Sequence, residues 1–278
     1  MIKYFLVAVL FFSILKPQKL NDENICTIKF DLAKSKNLQQ LPLNEIIVEI
    51  GKTFLGTKYV GGILDLPESE NLVINFESLD CVSFYENSLA ISFAIKKGNF
   101  NFEGFKNELK NIRYRDGIIN GYSSRLHYTT DYFFDNDKRN NFKVVTEKII
   151  DKIYLEKIKQ PINFMSQNKN LYKNISDEKI FSEIKKIEEN ISSRSINFIP
   201  KKFIDKADLK NGDIIGITAK IKGLDVSHTG IVVLEKGEAR LLHASQKNLK
   251  VEITNESLKN YLLKNSTQTG IIVARVTN

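Results

Sequence analysis

The apolar periodicity of this chain changes once, near Asp208, and that change restricts the fold more than any single motif. Before it, Leu43, Ile46, Ile47, Ile50 and Phe54 recur at helical spacing. Val82 to Lys97 is strongly apolar and meets no Gly or Pro until Gly98, which predicts a buried helix stopped by glycine. Phe100 to Ile112 predicts a second, amphipathic helix. After Asp208 the period becomes two. Asp213–Thr218, Val226–Leu234, Ala239–Ser245 and Ile271–Val276 read as strands, with a short helix near Ser257–Leu263. Helices followed by a mostly antiparallel sheet make an α+β layout.

The remaining segments are less regular. Leu72–Phe76 reads as a short strand, and Ile196–Ile199 as a strand end before Pro200. Residues 113–141 are aromatic and broken by glycine, either a core-facing loop or a binding wall. Residues 21–40 read as a loose N-terminal segment, and residues 143–195 as a helical insertion. A length of 278 residues suits two ordinary domains or one large domain with insertions. The reading adopted is one domain over residues 41–278. Hydrophobic residues at 42% and charged residues at 27% exclude a disordered chain and a multi-span membrane protein.

The net charge of +8 invites a nucleic-acid reading, but its distribution argues against one. Lys3, Lys16 and Lys19 carry part of it, and the other lysines are interleaved with Glu and Asp, without a basic block. Lys3 precedes an apolar or small run from Tyr4 to Leu15, too short to span a bilayer and placed like a secretory signal. Residues 1–20 are therefore expected to direct export, to the periplasm, with a signal anchor as the competing reading. Cys26 follows Glu23-Asn24-Ile25, which lacks the small residues of a lipid-attachment site.

Only 2 Cys and 3 His are present, so a disulfide scaffold is excluded and a zinc site would consume nearly every candidate ligand. Neither metal nor cofactor is expected. Cys81 follows Leu79-Asp80 and opens the buried helix. A helix start presents free amides and a positive dipole end, which favour a thiolate and can hold an oxyanion. The competing reading is a structural cysteine, or a disulfide with Cys26. A thiolate nucleophile also needs a base and a group that orients it. His228 and His243 lie on adjacent predicted strands joined at Lys236-Gly237. A two-residue turn pairs Glu235 with Glu238, Val232 with Leu241 and Gly230 with His243. By alternation both imidazoles then share one sheet face.

Beyond these positions the chain resembles a known family. Leu79-Asp80-Cys81-Val82-Ser83-Phe84, Asn211-Gly212-Asp213, Ser227-His228-Thr229-Gly230-Ile231-Val232 and Leu242-His243-Ala244-Ser245 look like the motif set of the NlpC-type cell-wall cysteine peptidases. Further stretches resemble the N-acetylmuramoyl-L-alanine amidase-like branch: Gly56–Gly62, Ile112–Arg115, Gly121–Tyr128 and Gly223–Val226. The resemblance implies a papain-like fold and hydrolysis of the amide between N-acetylmuramic acid and L-alanine. Its substrates would be soluble muropeptides, including anhydromuramoyl ones. By correspondence Cys81 is the nucleophile, His228 the base and His243 its orienting residue, with Tyr59 beside the nucleophile. Substrate binding would fall to Arg125, His127, Tyr128, Asp80 and Ser227. For Arg125 the competing reading is a salt bridge to Asp131, and for His127 a satisfied buried ring.

Three other functions compete: an endopeptidase cutting the stem peptide at D-glutamate, a non-catalytic wall-binding module, and an acyltransferase on the same scaffold. For the resting enzyme the expectation is a lowered Cys81 pKa, a raised His228 pKa and a neutral His243.

Overall fold

The long apolar run becomes Cys81–Lys96 (α3), after Asp22–Ser35 (α1) and Leu43–Lys52 (α2), and is followed by Phe102–Arg113 (α4) and Thr129–Lys138 (α5). Phe164–Gln167 (α6), Glu178–Ser192 (α7) and Leu258–Leu263 (α8) complete the α-helices of residues 20–277, which the computed structural model describes. The expected export segment lies outside the described residues, apart from Leu20. No helix among the described residues is long and apolar enough to cross a membrane.

The strands are Lys58–Tyr59 (β1), Ser78–Leu79 (β2), Lys143–Val144 (β3), Glu156–Lys157 (β4), Asn197–Pro200 (β5), Ile214–Ala219 (β6), Val226–Glu235 (β7), Glu238–Ser245 (β8), Lys250–Ile253 (β9) and Gln268–Arg275 (β10). They pair in the order β2-β1-β9-β8-β7-β6-β10-β5-β4, with β3 also on β10. Every pairing is antiparallel except β1 with β2.

Alternation along the central strands feeds two cores. Ile231 and Val233 of β7 pack with Leu242 and Ala244 against α2, α3 and α4. Val232 joins Leu241, Ile215, Ile217 and Val273 beneath Leu258 and Leu262 of α8. A sheet covered on both faces explains why its strands carry so few polar residues. A third cluster gathers Tyr122, Tyr128, Ile162, Met165, Ile175, Ile184 and Ile191.

α3 is buried along nearly its whole length, from Ser83 to Ile95. Its start is fixed by a capping box: Asp80 accepts from the Ser83 amide at 2.7 Å, and Ser83 Oγ accepts from the Asp80 amide at 2.9 Å. Such a cap is worth roughly 0.5–2 kcal/mol. The β7–β8 hairpin has the expected register, with Glu235 opposite Glu238 and Val232 opposite Leu241. Lys236 and Gly237 both take positive φ, 51° and 82°, as a type I′ turn requires.

Three expectations need correction. Residues 21–40 are not loose: α1 is capped by Asn21 and buries Cys26, Phe30 and Ala33 in the helical core. Leu72–Phe76 forms no strand. Its backbone is held instead by side chains, with Arg113 Nη1 donating to the Val73 carbonyl and Asp22 accepting from the Phe76 amide at 2.7 Å. Residues 143–195 are less helical than expected. They begin with β3 in the main sheet and reach their one long helix only at α7.

Candidate functional site

Cys81 occupies the first turn of α3, where the opening amides lack intrahelical acceptors. The Thr229 hydroxyl, on β7 beside His228, donates to the Cys81 carbonyl at 2.8 Å and ties the helix start to the strand. Cys81 and His228 line one cavity of about 240 Å³, together with Asp80, Arg125, His127, Tyr128, Ser227 and Thr229. A second cavity of about 740 Å³ shares Ser227 and His228 with the first and continues past Tyr261 and Glu252.

The two sheet imidazoles meet. His228 Nε2 lies 2.6 Å from His243 Nδ1, with the ring planes at 85°. Gly230 makes room for this. A Cβ there would sit 2.5 Å from Leu241 Cδ1 and 3.1 Å from His243 Cβ. Tyr261 of α8 packs edge-on against His243 at 5.4 Å between centroids. Because Nε2 of His228 is engaged, Nδ1 is its nitrogen left to exchange a proton.

The expected resting ion pair is not what the surroundings favour. Burial, reinforced by the Asp80 charge, pushes the Cys81 thiol up to about 12, against the pull of the Thr229 hydroxyl and amide. Burial and the neighbouring His243 push His228 down to about 3, and burial pushes His243 down to about 4. Removing either charge from water costs more than the helix start returns, so thiol and imidazole are both neutral at rest. The neutral His243 agrees with expectation. Tyr59, half-buried on β1, has its phenol pushed up to about 12 by burial and by the Cys81 and Asp80 charges. Cys26 and Cys81 are both free, so the competing disulfide does not form.

The residues expected to bind substrate divide. Arg125 does not pair with Asp131. It is buried against Asp65 and lies 3.5 Å from Glu70, over the Tyr122 ring. Asp131 is taken instead by Arg115 at 2.6 Å and Arg194 at 2.9 Å. His127 packs at a tilt against the Tyr122 ring and donates from Nε2 to the Tyr122 carbonyl at 2.8 Å, with burial pushing its pKa down to about 3. Tyr128 donates to Glu188 and accepts from the Met165 amide, so its hydroxyl is committed to the wall. Asp80 caps α3, and the Ser227 hydroxyl reaches the Ile217 carbonyl at 3.4 Å. Glu86 and Arg113, which also line the cavity, form a buried ion pair at 2.7 Å.

Asp65, Glu70, Thr229, Glu252 and Tyr261 join the site although no sequence pattern singles them out as functional. Only Thr229 carries a signal, being inside the His228 motif. Asp65 and Glu70 sit in an irregular segment whose contact with Arg125 spans tens of residues. Among the described residues no group of three or more His, Cys, Asp or Glu side chains is placed to hold a metal ion.

Comparison with known proteins identifies the family and the fold. Residues 49–271 match the AmiA-like family, described as N-acetylmuramoyl-L-alanine amidase-like. The fold is similar to an N-acetylmuramoyl-L-alanine amidase from Bacteroides uniformis, at 32% identity and TM-score 0.79, covering 85% of this chain and 99% of that one. It is also similar to a protein from Bacteroides fragilis carrying the name of a xylanase, at 34% identity and TM-score 0.76, covering 82% and 100%. A Legionella pneumophila protein at 22% identity shares the fold, with TM-score 0.68 over 92% and 96% of the two chains. No curated protein matches.

Proposed function

The chain belongs to the AmiA-like, N-acetylmuramoyl-L-alanine amidase-like family, and from that premise we propose that it is a cysteine amidase of the papain-like NlpC type. It cleaves the amide between the lactyl group of N-acetylmuramic acid and L-alanine. The observation that carries the reading is the joint placement of Cys81 and His228 at one cavity, with His243 buried behind His228 and 2.6 Å from it.

In this reading His228 Nδ1 takes the thiol proton as the sulfur attacks the lactyl carbonyl carbon. Neutral partners suit a transfer concerted with attack, since the carbonyl oxygen then receives the negative charge that burial denies to the sulfur. The free amides opening α3 and the Tyr59 hydroxyl are the donors available to that oxyanion. Collapse breaks the carbon–nitrogen bond, and the proton on His228 leaves with the amine of L-alanine. Water, deprotonated by His228, then hydrolyses the thioester and restores the thiol.

Following the family resemblance, its substrates are soluble muropeptides, anhydromuramoyl forms included. Lys3 and the apolar run Tyr4–Leu15 support export, which would place the enzyme beside such fragments. A glycosidase would instead need two carboxyl groups flanking the bond. Here Asp65 is engaged by Arg125, Asp80 by Ser83, Glu86 by Arg113 and Asp225 by Thr130.

The test is mass spectrometry of products from defined muropeptides. Wild type should release a stem peptide beginning at L-alanine and a muramic acid with a free lactyl carboxylate. Cys81→Ala should release neither. Cuts inside the peptide, cuts between sugars, or undiminished turnover by Cys81→Ala would each reject the reading.

A further inference from the structure

The cysteine mechanism needs one tautomer of the His228–His243 pair. His228 can accept the thiol proton on Nδ1 only while its own proton sits on Nε2. That N–H must then donate to a bare Nδ1 of His243, 2.6 Å away. His243 therefore has to carry its proton on Nε2. In the opposite arrangement His243 donates from Nδ1, His228 holds its proton on Nδ1, and neither of its nitrogens can accept from the thiol. Two neutral imidazoles do not make this choice by themselves.

His243 Nε2 is buried and has no hydrogen-bond partner. A buried donor left unpaired costs roughly 1–3 kcal/mol. The group nearest to supplying an acceptor is Glu252. It lies directly opposite His243 in the β8–β9 ladder, and its Oε1 is 3.9 Å from His243 Nε2. That is about 1 Å longer than the usual hydrogen bond, within reach of a side-chain adjustment. Asn248 in the β8–β9 turn donates to the same carboxylate oxygen at 2.6 Å, and the Asn248 amide is itself held by Ser245 Oγ at 3.1 Å. The Tyr261 ring closes the flank of His243. Glu252 is thus aimed and partly desolvated beside a buried ring nitrogen that lacks an acceptor.

We propose that Glu252 is a positioning residue that selects the productive tautomer of the histidine pair from the far side of His243. A carboxylate only accepts hydrogen bonds, so it favours the proton on His243 Nε2. The preference passes through His243 Nδ1 to His228 Nε2 and leaves His228 Nδ1 open toward Cys81. As His228 becomes cationic during attack, the Glu252 charge also opposes the cost of that cation. Glu252 touches no reacting atom. Its influence runs through His243, and it should act on kcat with little effect on KM.

The inference rests on the cysteine-amidase reading, and the experiment separates the two. In the full chain, ring-nitrogen NMR of His243 should show the Nε2–H tautomer in wild type and a shift toward Nδ1–H in Glu252→Ala. This readout needs no turnover. In parallel, Glu252→Ala should lower kcat about tenfold with KM within about twofold, and Glu252→Gln, whose amide oxygen can still accept, should recover part of the loss. An unchanged His243 tautomer in Glu252→Ala would overturn the proposal. So would a raised KM at unchanged kcat, which would make Glu252 a substrate contact. Full activity of Cys81→Ala would instead reject the amidase mechanism and leave the tautomer result standing on its own.

Discussion

At Cys81 two opposing influences act on one proton. The start of α3 favours a thiolate, while removal from water and the Asp80 charge favour the thiol. Burial prevails, and the same burial keeps His228 neutral with a pKa of about 3. Two outcomes follow at this scale. Alkylation of Cys81 in the free enzyme by iodoacetamide should climb only at alkaline pH, with no thiolate plateau below neutrality. A plateau there that His228→Ala abolishes would restore the ion pair expected from sequence. The acid limb of kcat/KM should also fall below the usual imidazole value of about 6.5. A base whose pKa is pushed down stays unprotonated, and so competent, further into acid. A limb at or above about 6.5 would contradict this.

The β7–β8 hairpin is an element whose residue pattern alone discloses its geometry. Its strands alternate, its turn holds Gly237, and the pairing that follows brings His228 and His243 together. α3 is equally legible, because Val82–Ile95 is rich in apolar residues without Gly or Pro and Asp80 caps it. Other elements are hidden for physical reasons. β9 is four residues long and alternates Lys with Val and Glu with Ile, so the ladder that carries Glu252 has almost no signature of its own. α5 is built from Thr, Asp, Asn and aromatics, weak helix formers, and is held by its buried face. Leu72–Phe76 has strand composition, but its polar backbone atoms are satisfied by Arg113 and Asp22. The pairing of Arg125 with Asp65 is unreadable in the sequence, since no local pattern distinguishes it from a bond to Asp131. At the hairpin Gly230 is the position with least tolerance. In Gly230→Ala the new Cβ meets Leu241 Cδ1 at 2.5 Å and the Leu242 carbonyl oxygen at 2.9 Å. Stability should fall by about 1–3 kcal/mol in urea unfolding. Activity should fall further than that loss explains, because His243 is displaced. A variant with wild-type stability and turnover would show that the strands yield freely.

Across the whole molecule the cavity sits where separate cores meet, and the histidines at it and behind it are held neutral. His243, 1% exposed, is the clearest case, with a pKa pushed down by burial to about 4. In the unfolded chain an imidazole binds a proton near pH 6.5, whereas the folded protein resists it. Its contribution to stability is therefore complete above pH 6.5 and is lost progressively as pH falls toward 4. The buried carboxyls Glu86 and Asp225 shift the other way, because burial raises their pKa values. Acidification relieves their cost, so the bare pH profile of the protein mixes both signs. Comparing wild type with His243→Gln removes the carboxyl contribution, which the two share. Between pH 7.5 and pH 5 wild type should lose about 2 kcal/mol more in urea unfolding than His243→Gln, from roughly 1.4 kcal/mol per pH unit below the unfolded value. Parallel losses in the two proteins would mean that His243 is protonated as readily folded as unfolded, and the tautomer chain from Glu252 to Cys81 would then lose its neutral ring below about pH 6.5.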